Sequence, residues 1–282
     1  RNGKQVCFMP ADSLALGGGA PQYDREAKEP AYIKEAKEFD VSKIETKLST
    51  EDIFWKLLQT PTIASKKWVY EQYDSQVRTN TIAIKSDAAI LRIKELPGKG
   101  IALTTDCNSR YVYLDPYNGT KMAVAEAARN LVCVGAKPLA ITNCLNFGNP
   151  YDPEVYWTFK EAIKGMGETC RLFDTPVTGG NVSFHNESQN RAIYPTPTIG
   201  MLGFIEDLDK IIPTGFVNED DLIYLIGYTY EDDLIQFKLG GSQYLKLIHK
   251  DNIGKLPSVN ISKELKLQEL MLDCITNDII NS

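Results

Sequence analysis

Histidine is scarce in this chain. Only His185 and His249 occur among 282 residues, and none of the six cysteines forms a Cys-x-x-Cys pair. That argues against a zinc site of ordinary spacing and leaves a Cys–His dyad little to draw on. Cys107 and Cys144 lie in polar stretches and stay open as thiol nucleophiles. Cys7, Cys133, Cys170 and Cys274 complete the set; most of the six sit in apolar runs, which fits free thiols in a cytoplasmic protein. Basic stripes are missing too: with a net charge of −6 and a pI near 5.2, the chain has no nucleic-acid footprint. The pair Lys66-Lys67 before Trp68 reads as a solvated helix face. No apolar run approaches the roughly 20 residues of a membrane span, and no signal peptide precedes the first segment, so no membrane partner is expected. An initiating methionine is also absent, and the end at Ile279-Ile-Asn-Ser282 follows a helical pattern with no closing element. A piece of a longer protein is the expectation.

What is present is enough apolar material, 43% of the residues, for a large core in one or two domains. The most informative stretch is Thr175-Pro-Val-Thr-Gly-Gly-Asn-Val-Ser183. Two adjacent glycines permit close backbone approach to a ligand such as a phosphate. In an extended segment Asn181 and Ser183 point to one face. The first offers a carbonyl oxygen suited to Mg2+, the second a hydroxyl for a polar substrate. A Gly-Gly-Asn sequence is also a common hairpin connection, and that reading stays open. Its company favours function: Thr104–Tyr117 and Ile141–Pro150 likewise leave β-like runs for polar, Gly- or Pro-bearing turns, where an α/β sheet places ligand groups.

Along the chain, Ser49-Thr50-Glu51-Asp52 predicts a helix start, with Ile53, Phe54, Leu57 and Leu58 on the helix and Pro61 ending it. A second helix is expected over Ser65–Tyr73. Strands are expected at Thr81–Lys85, Ala88–Ile93, Ile101–Thr105, Leu139–Thr142, Val177–Thr178, Thr198–Ile205 and Leu222–Ile226. Long helices are expected after Pro116 to Leu131, over Val155–Phe173, and over Glu264–Ile275. Val155, Phe159, Ile163, Met166, Cys170 and Phe173 form one stripe, read as core packing. Asp115 before Pro116 reads as a helix N-cap. Elements alternate irregularly, which predicts α+β or mixed α/β architecture rather than a doubly wound parallel sheet. Pro213-Thr-Gly215 reads as a domain boundary.

Several long motifs resemble the synthetase subunit of phosphoribosylformylglycinamidine synthase, in the aminoimidazole-ribonucleotide-synthase-like superfamily. They are Asp106–Tyr117, Ala123–Asn130, Asn143-Cys-Leu-Asn-Phe-Gly-Asn-Pro150, Asp174–Ser183, Tyr194–Met201, Leu239-Gly-Gly-Ser-Gln-Tyr244 and Gly17-Gly-Gly-Ala-Pro-Gln-Tyr23. The resemblance covers nearly the whole chain. It implies a second A domain at residues 46–212, preceded by the tail of a B domain (1–45) and followed by the opening of another (213–282). The implied function is that of an ATP-dependent ligase of purine biosynthesis. Formylglycinamide ribonucleotide is phosphorylated at its amide oxygen, and glutamine-derived ammonia from an amidotransferase partner displaces phosphate from the iminophosphate. ATP and Mg2+ are the implied cofactors.

Carried over position by position, Asn143 and Gly180 resemble ATP contacts, Asn181 a Mg2+ ligand and Ser183 a contact to the ribonucleotide. Asn143 stands where the family commonly has Asp, so it can hydrogen-bond but supplies no charge. Asp106, Asn108 and Arg110 align with a catalytic strand of the first A domain, yet Arg110 and Tyr111 replace the histidines wanted there. No catalytic residue is assigned in this chain, which alone is expected to be inactive. Two rival readings remain: a non-catalytic, nucleotide-holding half of the same pseudo-dimer, and a selenophosphate or thiamine-phosphate kinase relative. The second fits the fold, but not the matches at Asn143–Pro150 and Leu239–Tyr244.

Overall fold

A computed structural model of the chain describes residues 2–10, 24–40, 44–82, 85–189, 191–227, 239–250, 253–257 and 259–282. The Gly17–Tyr23 motif and the middle of the strand expected over Thr81–Lys85 lie outside them. In chain order the elements are α1 (Ala31–Glu38), α2 (Thr50–Leu58), α3 (Lys67–Tyr70), β1 (Thr81–Ile82), β2 (Ala89–Arg92), β3 (Gly100–Asp106), α4 (Ser109–Leu114) and α5 (Pro116–Val132). Then come β4 (Lys137–Asn146), α6 (Pro153–Phe173), β5 (Val177–Ser183), β6 (Glu187–Ser188), β7 (Arg191–Ala192), β8 (Thr196–Ile205), α7 (Gln243–Ile248) and α8 (Ile261–Thr276).

Local chemistry sets most helix starts. Ser49 accepts from the Asp52 amide at 3.1 Å and opens α2. Asp115 accepts from the Asn118 amide at 3.0 Å, and Pro116 supplies a first helical residue with no N–H to satisfy. Asp152 and Pro153 repeat the device for α6. Asp174, in a left-handed conformation at φ 53°, ends α6.

Strand order in the main sheet is β1-β2-β3-β8-β4-β5. Its pairs are antiparallel except β4–β5, which are parallel and joined through α6. The architecture is therefore mixed α/β, as expected. The helices α5 and α6 cover one sheet face. Along β8 burial alternates strictly, with Ile199, Met201 and Ile205 buried against Val124, Ala128 and Leu131 of α5. Four alanines on α5 (Ala123, Ala125, Ala127, Ala128) are fully or almost fully buried and let the helix lie close to its neighbours. The crossing of α5 and α6 is equally tight. A Cβ on Gly165 would sit 2.2 Å from the Tyr117 carbonyl oxygen, so no side chain fits there. The opposite sheet face carries Leu103, Leu139 and Cys144 exposed, with Leu202 and Phe204 half-buried.

Several expectations are corrected. The helix over Ser65–Tyr73 shrinks to α3, because Trp68, Val69, Tyr70 and Tyr73 are exposed and bury no face. Leu222–Ile226 is not a strand: its residues lie in irregular, exposed backbone and pair with no described strand. The strand expected at Leu139–Thr142 runs on as β4 to Asn146, held by β8 along one side and β5 along the other. The polar stretch after Thr105 holds the helix α4 rather than a turn. On α6 the expected stripe holds except at Ile163, which is exposed: Met166, Cys170 and Phe173 are buried, Val155 and Phe159 pack against the core, and Thr158, Ala162, Gly165 and Thr169 complete the buried face.

Candidate functional site

The Gly-Gly-Asn segment is neither hairpin nor turn. Val177–Ser183 is one continuous strand at one edge of the sheet, with the glycines in its middle. An in-strand glycine marks close approach, and here the approach is by a side chain. Gly180 pairs with Asn143, and a Cβ on Gly180 would lie 2.2 Å from Asn143 Oδ1 and 2.6 Å from its main-chain oxygen. The two residues singled out as nucleotide contacts are thus in direct contact, and the glycine exists because the asparagine needs its space. Asn143 Nδ2 donates to the sulfur of buried Met166 on α6, at 3.5 Å, which turns Oδ1 towards β5. At the register irregularity between Ile141 and Thr142, side chains lace the pair together. Thr178 Oγ1 donates to the Ile141 carbonyl at 3.1 Å and Thr142 Oγ1 to the Gly179 carbonyl at 3.2 Å.

The strand pleat divides the four residues. Asn143 and Gly180 share the face of buried Leu145, towards the helices, while Asn181 pairs with Cys144 and Ser183 with Asn146 on the open face. Since β5 is an edge, a ligand can reach both faces and the unpaired main chain between them. Asn181 is exposed, and Ser183 half-buried. Among the described residues no three His, Cys, Asp or Glu cluster to hold a metal. A single neutral Asn181 oxygen suits Mg2+ only where phosphates and water complete the octahedron, as is usual for nucleotide-bound Mg2+.

One residue of this site escaped the sequence. Asn186 Nδ2 donates to the carbonyls of Phe147 at 3.0 Å and Ser183 at 2.8 Å, and lies 3.1 Å from Ser183 Oγ. It ties the ends of β4 and β5 together beside the Ser183 hydroxyl. The only sequence signal was an Asn shortly after a strand end, a position where Asn commonly bonds local backbone.

The second polar segment is built differently. Asp106 accepts from Asn130 Nδ2 at 2.9 Å; burial, with Glu126 nearby, pushes its carboxyl above the usual range. Asn108 caps α4 through the Tyr111 amide at 3.3 Å, and Arg110 Nη1 donates to Gln243 Oε1 at 2.9 Å. Asn108, Arg110 and Gln243 line a cleft of about 690 Å³ with Cys107, Glu126, Tyr194 and Lys246. Burial, again with Glu126 and Asp106, pushes the Cys107 thiol up to about 12, so it is protonated at neutral pH and a poor nucleophile. The Cys107 thiol expectation is thereby corrected.

Comparison with known proteins supplies the context. Residues 85–205, which hold β2 to β8, match the family described as "AIR synthase related protein, N-terminal domain". Over its whole length the chain is 48% identical to the phosphoribosylformylglycinamidine synthase subunit PurL of Chlorobaculum tepidum, and spans 36% of that protein's length. Among solved structures, Thermotoga maritima PurL complexed with ATP is similar at a TM-score of 0.50 and 30% identity, over 74% of this chain and 31% of that one. The PurLQS assembly of Thermotoga maritima is similar at a TM-score of 0.54 and 29% identity, over 76% of this chain and 32% of the matched one. Among the described residues no helix is long and apolar enough to cross a membrane.

Proposed function

From the premise that residues 85–205 belong to the AIR synthase related family, we propose that the chain is one working part of a longer, cytoplasmic ATP-dependent carbon–nitrogen ligase. Its reaction converts formylglycinamide ribonucleotide to the amidine, with ammonia delivered by a glutamine amidotransferase partner. The observation that carries this reading is the contact of Asn143 with Gly180 on an open sheet edge, in a chain akin to PurL throughout. In this reading residues 46–212 are the second A domain, with B-domain segments at 1–45 and 213–282. The uncovered sheet face packs on the other A domain.

The roles follow from position. Gly180 makes room for Asn143, whose Oδ1 accepts a hydrogen bond from the nucleotide, and the unpaired β5 edge beside them is open to its phosphates. Asn181 contributes one oxygen to Mg2+, whose chemistry is to neutralise charge on the transferring phosphoryl group. Ser183 holds the ribonucleotide. Groups that move protons come from the part of the longer protein that this chain does not span.

Calorimetry of Mg2+–ATP binding to the full-length enzyme tests this. Asn181→Ala is expected to weaken binding about tenfold, the loss of roughly one charge-assisted contact. Unchanged metal-dependent affinity would remove Asn181 from the metal site. A second reading, a nucleotide-holding half without chemistry of its own, is favoured by the way Asp106, Asn108 and Arg110 are bonded into the fold. Counting the bound nucleotides that turn over separates the two.

A further inference from the structure

We propose that Asn186 is a positioning residue that presents the Ser183 hydroxyl as a hydrogen-bond donor to an acceptor oxygen of the ribonucleotide. The inference rests on the reading of Ser183 as a substrate contact and deepens it. A serine hydroxyl both donates and accepts, and unrestrained it rotates to suit its surroundings. Here its surroundings are fixed. Asn186 Nδ2 approaches Ser183 Oγ at 3.1 Å and, with the same amide, the Ser183 carbonyl at 2.8 Å and the Phe147 carbonyl at 3.0 Å. The reverse bond, Ser183 Oγ–H to Asn186 Oδ1, is longer at 3.3 Å.

The two amide hydrogens serve three acceptors, one of them being shared between the Ser183 carbonyl and Oγ, so a lone pair of Oγ is engaged while the hydroxyl hydrogen is held only by the longer contact and can leave for a better acceptor. Ser183 shares a face with Asn181, on the open side of the edge strand. A ligand arriving there meets a donor. Asn186 is itself held from the main chain. Its own amide donates to the Phe147 carbonyl at 3.2 Å, and the Phe147 amide donates to the Ser183 carbonyl at 3.0 Å. The neighbouring His185 takes a left-handed φ of 59° to bring Asn186 back beneath the strand end. An Asp at 186 has the same shape and no donor. It would accept the Ser183 hydrogen and turn it away from the ligand.

The test is a double-mutant cycle in the full-length enzyme, using Ser183→Ala, Asn186→Asp and the pair, with KM measured for ribonucleotide and for ATP. Each single change is expected to raise the ribonucleotide KM about tenfold, with kcat and the ATP KM within about threefold. The pair is expected to do no more than Ser183→Ala alone. An Asn186→Asp effect that persists in the Ser183→Ala background, or that raises the ATP KM equally, would mean a merely structural role and overturn the inference. So would a normal ribonucleotide KM in Asn186→Asp when Ser183→Ala is impaired, and that outcome leaves the substrate-contact reading standing. A normal KM in Ser183→Ala removes that reading and the inference together. Should Asn186→Asp not fold, Asn186→Ala carries the same cycle with a smaller rise in ribonucleotide KM, about threefold, because nothing then turns the hydroxyl away; a rise that persists in the Ser183→Ala background overturns the inference, as does no rise at all.

Discussion

The ends of β3 and of the β4–β5 pair begin from the same kind of sequence, an apolar run giving way to Asn, Asp, Cys and Ser. They employ those side chains in opposite ways. After β3 the polar groups turn inward: Asp106 holds Asn130, Asn108 caps α4, and Arg110 reaches Gln243 from a sequence distance of 133 positions. On the open face of the β5 edge the side chains stay outward, with Asn181 exposed and the Ser183 hydroxyl bonded, among the described residues, to its neighbour Asn186. Polar groups closed into internal hydrogen bonds hold a fold in register. Those on an uncovered edge are left for something else to bind. The difference is topological, because β3 is a central strand flanked by β2 and β8 whereas β5 is an edge.

Glycine substitution sharpens that contrast most. Gly180→Ala puts a methyl 2.2 Å from Asn143 Oδ1 and 2.6 Å from its carbonyl, and main chain cannot swing aside. A loss of about 1–3 kcal/mol is expected in urea unfolding, as for other overpacked sites, with nucleotide affinity falling alongside. Gly179→Ala, one residue away, meets nothing within 4 Å. It is expected to stay within about 1 kcal/mol of the parent, on the stabilising side. If the two behave alike, the Asn143–Gly180 contact does not organise the site.

Legibility followed locality. Caps such as Asp115-Pro116 and Asp152-Pro153 were readable because their partners lie within three residues, and the period-2 pattern of β8 was readable because both of its faces are set by neighbours along the strand. The Gly-Gly-Asn stretch was misread in shape because glycines at a turn and glycines crowded by another strand look the same in sequence. Leu222–Ile226 carried an apolar, β-like run, but strand formation needs a partner, and none of the described strands pairs with it. Asn186 was invisible because its bonds to Phe147 span 39 positions. The long resemblance located Asn143, Gly180, Asn181 and Ser183 by position. It could not say that the pleat sends them to two faces.

The inward-turned region offers the converse test. Asn108→Ala removes the acceptor that caps α4 and is expected to cost about 1 kcal/mol of stability in thermal or urea unfolding. Mg2+–ATP affinity of the full-length enzyme should not change, because Asn108 acts on the fold. A drop in affinity without a drop in stability would break the comparison and move Asn108 into a binding site.

Asp106 gives the smallest and most specific effect. Its folded-state pKa is raised, chiefly by burial and next by the Glu126 carboxylate. A raised pKa means the native state binds the proton more tightly than the unfolded chain does. The group's contribution is therefore fully present below the unfolded pKa and is lost as pH rises through the folded value. Asp106→Asn keeps an oxygen to accept from Asn130 and carries no charge to desolvate. The variant and the parent are expected to be equally stable in acid, where the parent's carboxyl is protonated. They should diverge as pH climbs out of the carboxylate range, with the variant the more stable. Urea unfolding at a series of pH values reads this directly. Coincident curves across the series would mean that Asp106 is as well solvated as the residues of the β5 edge, and the inward-turned half of the comparison would lose its electrostatic basis.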